Sequence, residues 1–174
     1  MGAPTRRAQQ GHIGQYSVGE GDSTGGPNPQ CWIKGAWPTL VVLAGDSEPL
    51  SELRNDMRWW FSASEHQVKI VLLAKFEHTR RALILEKWEE EPSMTRPGAA
   101  TTRHAAAARQ PVLRQAITVT EDITTNPVSY NVAGGELVLG FRVLFLRDPG
   151  PGEGDCVLSV QELQAYAEDV YMMA

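Results

Sequence analysis

Asp46 and Glu48 follow an apolar run directly, in the stretch PTLVVLAGDSEPLSELRNDMRWW at residues 38–60. Carboxylates grouped where a buried strand leaves its sheet can hold a hard cation such as Mg2+ or Mn2+, which takes oxygen ligands. In α/β proteins, ligands also tend to sit where strands exit into helices. The simpler reading is that both acids lie in a first helical turn, where negative charge complements the macrodipole. Arg54 and Arg58 stand four apart, so they share a helix face. Their simpler use is as solvated arginines, with Glu52 and Asp56 as pairing partners on a neighbouring face.

The remaining residues of chemical interest carry weaker signals. Trp59 and Trp60 can stack bases, but neighbours on a helix cannot both face a core fully, so one is expected inside and the other partly exposed or covered by the C-terminal segment. Lys69, in QVK, has the spelling of a catalytic E-x-K with a neutral first position, and reads more simply as a strand-edge lysine near solvent. His12, His66, His78 and His104 are scattered through polar contexts. GEGDSTGG, residues 19–26, lacks the preceding strand and the Lys-Ser/Thr of a phosphate loop and reads as disorder. EKWEEE, residues 86–91, reads as a solvated acidic end that repels nucleic acid.

These residues need a scaffold, and the apolar patterning predicts one. Residues 1–29 are polar and rich in Gly and Pro, and are expected to form a flexible arm. A single α/β domain follows over 30–174. CWI is a candidate short strand, and TLVVLA a continuously apolar, β-rich one. In DSEPLSELRNDMRWWFSAS, Leu50, Leu53, Met57 and Trp60 recur at spacings of three, four and three, the apolar stripe of a helix. Ser47 is its expected N-cap, with Pro49 in the first turn. QVKIVLLAKF and ALILEKWEE read as two strands of a hairpin, with Glu86, Lys87 and the later acids near its solvent end. Pro92 and Pro97 predict a loop over about 91–111, in which RHAAAARQ can form a helical turn or two before Pro111. QAITVTED, VSYNV and ELVLGFRVLFLR read as strands, DPGPGEGD as a loop, and CVLSV as a short strand. SVQELQAYAEDVYMM reads as a closing helix with a Ser159–Glu162 capping box. Its expected buried stripe is Leu163, Tyr166, Val170 and Tyr171.

Bulk properties narrow the functional classes. The net charge of −5 over 174 residues does not favour broad electrostatic attraction to nucleic acid. Cys31 and Cys156 have no zinc-site spacing, and such sparse cysteine suits a reduced, intracellular setting. The N-terminal segment lacks the apolar region of a signal peptide, and no run reaches transmembrane length, so no membrane partner is expected.

Pro27-Asn28 followed by WPTLVVLAGDSEPLSELRNDMRWWFSASEHQVKIVLLAKF resembles the core of the PD-(D/E)xK, or restriction-endonuclease-like, superfamily, in particular uncharacterised fungal members. ILEKWE, FRVLFLRDPGPGEGD and LQAYAEDV extend the resemblance over roughly residues 27–172. It implies a mixed sheet with flanking helices and a metal site at a strand end. In active members an Asp and a strand Glu hold Mg2+, with a Lys nearby to stabilise the transition state. Here Asn28 stands at the Asp position, Leu43 at the Glu position and Gly45 at the Lys position. The resemblance therefore implies a retained fold with a degenerate metal site. No cofactor is expected, and the role is that of an interaction module with a protein partner, or of a copy without selected function. The rival is a Mg2+- or Mn2+-dependent DNA nuclease using Asp46, Glu48 and Asn28, with Arg54 or Arg58 in the place of a displaced lysine. A third reading is a non-cleaving nucleic-acid binder built on Arg54, Arg58, Lys69 and an exposed Trp. The first 29 residues do not supply the upstream helix and strand of the nuclease core, so its N-terminal part is expected to be incomplete.

Overall fold

Leu40–Gly45 (β2) and Ile70–Glu77 (β3) lie side by side and parallel. Parallel neighbours need a crossover, and helix α1, Leu50–Ala63, supplies it. The computed structural model describes residues 23–26, 36–93 and 109–173. CWI and Asn28 lie outside them.

Among the described residues the sheet is mixed and six-stranded. β3 turns through a short 3-10 segment into β4 (Ala82–Pro92), and β5 (Arg109–Asp122) and β6 (Ser129–Ala133) follow, all antiparallel. Strand order follows chain order, with β1 (Ser23–Gly25) antiparallel to β2 at the other edge. Part of the expected flexible arm is thus an edge strand. A two-stranded ribbon of β7 (Leu137–Leu139) and β8 (Cys156–Leu158), a short helix α2 (Phe141–Phe145) and the helix α3 (Val160–Met173) complete the described chain. Among the described residues no helix is long and apolar enough to cross a membrane.

Alternation along the strands makes two faces. One face packs Val41, Leu43, Val71 and Leu73 beneath Leu53, Met57, Trp60 and Phe61 of α1. Burying side chains of this size contributes roughly 1.5–3 kcal/mol each. The other face packs Ile70, Ala74, Leu83, Leu85, Ile117 and Val119 against Leu137, Leu139, Leu144, Leu163 and Ala167.

Several expectations change. Pro49, not Ser47, is the N-cap of α1 and gives no side-chain cap. The residue before a proline avoids helical backbone angles, which holds the helix start behind Glu48. Asp46 and Glu48 therefore precede the helix, and Glu52 is the acid of its first turn. ELVLGFRVLFLR is not one strand. It breaks at Gly140, and the amide of Phe141 donates to Asp155 Oδ1 (2.8 Å), a cap fourteen residues away.

Arg109, Gln110 and Pro111 belong to β5, with Pro111 opposite Glu90, so the expected loop is shorter at both ends. A proline fits there because this part of β5 lies outside its pairing with β6, which begins at Thr118. On α3 the capping box forms, with Ser159 N–H donating to Glu162 Oε2 (2.8 Å) and Glu162 N–H to Ser159 Oγ (3.3 Å). Tyr166, expected in the buried stripe, is 48% exposed, and Ala167 is buried instead.

Candidate functional site

The carboxyl ends of β2 and β3 bring Gly45 and Lys75 side by side in register. Lys75 follows Val71 and Leu73 on the face beneath α1, and it is only 7% exposed. Its ammonium group donates to the backbone carbonyl of Asp46. The carboxylate of Asp46 meets His78 Nε2 (2.5 Å), whose ring packs edge-on against Phe76 at 4.4 Å between centroids. Asp46 is thus held at both its backbone and its side chain. Glu48, two residues further, is exposed.

Lys75 is not among the residues that the sequence marks, and His78 stands there only as one of four scattered histidines. The signal for Lys75 was present, since a lysine at an inward-facing position of an apolar strand needs an explanation. His78 had none, because its partner lies 32 residues away.

Leu43, at the position where the resemblance expects a metal-binding Glu, is 4% exposed and lies in the cluster with Leu53 and Met57. Gly45, at the Lys position, is equally constrained. A β-carbon there would stand 2.9 Å from Leu53 Cδ1, so the residue can carry a side chain only if Leu53 moves. Among the described residues no three His, Cys, Asp or Glu side chains converge to hold a metal ion.

The candidate arginines part company. Arg54 donates from Nε to Glu86 Oε2 (3.0 Å) and from Nη2 to Glu86 Oε1 (2.5 Å), and Trp88 Nε1 donates to the same Oε2 (2.9 Å). Glu86 is 4% exposed, not at a solvent end as its acidic context suggested. Burial alone would push its carboxyl up, but the hydrogen bonds from Arg54 and Trp88 and the Arg54 charge outweigh this and hold it below the usual range. Lys87 is buried too, on the opposite face, where it donates to the carbonyl of Val138 (2.7 Å).

Arg58 stays exposed, donating to Asn55 Oδ1 (3.1 Å). The expected pairing of these arginines with Glu52 and Asp56 does not form. Asp56 is pushed up by burial and then by the like charge of Glu52.

Lys69 lies just before β3, at the end opposite Lys75, roughly 20 Å away along the strand. It is half-buried and donates to the carbonyl of His66 (2.6 Å), while His66 Nδ1 meets Glu90 Oε2 (2.7 Å). Burial, then the charge of Arg109, push the Lys69 ammonium down, with Glu90 opposing. Trp60 is buried at 2% exposed, and Trp59 is half-buried against it edge-to-face, as the side-by-side argument expects.

The structure therefore joins Asp46 to Lys75 and His78, and Arg54 to Glu86, while Lys69 stands apart. The chain matches no protein-family model, no curated protein and no solved structure.

Proposed function

We propose that this chain is a restriction-endonuclease-like domain whose strand-end metal site is degenerate, and that it acts without catalysis as an interaction module. The observation that carries this reading is the sealed position of Leu43. A hard divalent ion is held by charged oxygens, and Leu43 supplies none. Asp46 already binds His78, with the Lys75 ammonium on its backbone. A carboxylate already in contact with His78 and an ammonium group on the adjacent carbonyl offer a hard divalent ion little net negative charge.

The test is calorimetric titration of Mn2+ into the protein, with plasmid nicking followed in parallel. The expected result is no saturable binding and no nicking. Saturable binding together with nicking, both lost in Asp46→Asn, would overturn the reading.

One observation favours the nuclease alternative. Asp46, Lys75 and His78 gather at the carboxyl end of a parallel strand pair, where α/β proteins place ligands. On that reading Asp46 and Glu48 are the metal ligands, and Lys75 takes the charge-stabilising role first sought at Arg54 and Arg58. The non-cleaving nucleic-acid reading draws less support, since Arg54 is engaged by Glu86 and Lys69 lies apart from it in contact with His66.

A further inference from the structure

We draw no further inference here: the strongest candidate, the part of the α1-side sheet face on β5 and β6 where Ala116, Thr120, Asn131 and Ala133 are exposed, carries nothing because nothing in the structure shows what covers it.

Discussion

Arg54 on α1 and Glu86 on β4 form a two-pronged ion pair across the helix–sheet interface. Glu86 lies opposite Leu73, and Leu73 lies beside Leu43, so one cross-strand row runs leucine, leucine, glutamate. The carboxylate of this row sits two strands away from Leu43, where the resemblance to the nuclease superfamily implies one. It is bound by an arginine of α1 and so links the helix to the sheet.

Arg54→Ala is expected to destabilise the fold by roughly 2–3 kcal/mol in urea unfolding. Breaking a buried pair costs about 3–5 kcal/mol because the remaining charge is stranded. The value here is set lower because the Arg54 side chain is 38% exposed and water screens part of the interaction. The double variant Arg54→Met, Glu86→Leu is expected to recover most of the loss. An Arg54→Ala variant as stable as the wild type would show that the pair contributes nothing.

The same pair sets a pH dependence. The folded-state pKa of Glu86 is depressed. Its contribution is therefore fully present above the unfolded-state value, about 4.3, and is lost as pH falls through the lower folded value. In Arg54→Ala the burial of Glu86 acts with less opposition, and protonation relieves it. The unfolded-state value is common to both proteins, so their stability difference is expected to shrink as pH falls through the interval between the folded-state pKa of Glu86 in Arg54→Ala and the lower one in the wild type. Urea unfolding at a series of acid pH values checks this, and a constant difference would contradict it.

Leu43→Glu combined with Asn28→Asp restores the two charges that the resemblance expects. Without metal, a carboxylate at the Leu43 position is buried against Leu53 and Met57, and the melting temperature is expected to fall. With Mn2+ it is expected to recover, because a ligand at 100 times its Kd stabilises by about 2.7 kcal/mol. The wild type is expected to show no shift with Mn2+. A double variant that folds and ignores Mn2+ would count against the fold assignment.

Gly45→Ala is expected to cost about 1 kcal/mol, the low end of overpacking a filled core. The added carbon meets Leu53 Cδ1 at 2.9 Å. In a Leu53→Ala background the same substitution should cost close to nothing, because the obstructing atoms are gone. Thermal unfolding of the four proteins in this cycle measures the coupling, and additive effects would place the constraint on Gly45 elsewhere.

Much of the scaffold was legible because its signals are local. The apolar run of β2, the hairpin of β3 and β4, the stripe on α1 and the Ser159–Glu162 box each depend on residues a few positions apart. The misreadings fall where distant partners decide. ELVLGFRVLFLR has the composition of one strand, yet Leu137–Leu139 pair with Cys156–Leu158, and Asp155 caps a helix at Phe141. EKWEEE has the composition of a solvated end, yet Glu86 faces Arg54 and Glu90 meets His66. Tyr166 and Ala167 are neighbours on α3, and only the docking of that helix selects Ala167 for burial.

By itself the sequence determined which segments are strands and helices through most of the sheet, because periodicity and chain stiffness act over one or two turns. It also determined that positions 28, 43 and 45 carry Asn, Leu and Gly, with none of the charges that the resemblance implies. The tertiary structure alone decided which charged groups meet. Coulomb attraction and desolvation depend on separation in space and on burial, and neither can be read along the chain. For this reason Asp46, Lys75 and His78 come together, Arg54 is bound to Glu86, and Lys69 stands at the far end of β3.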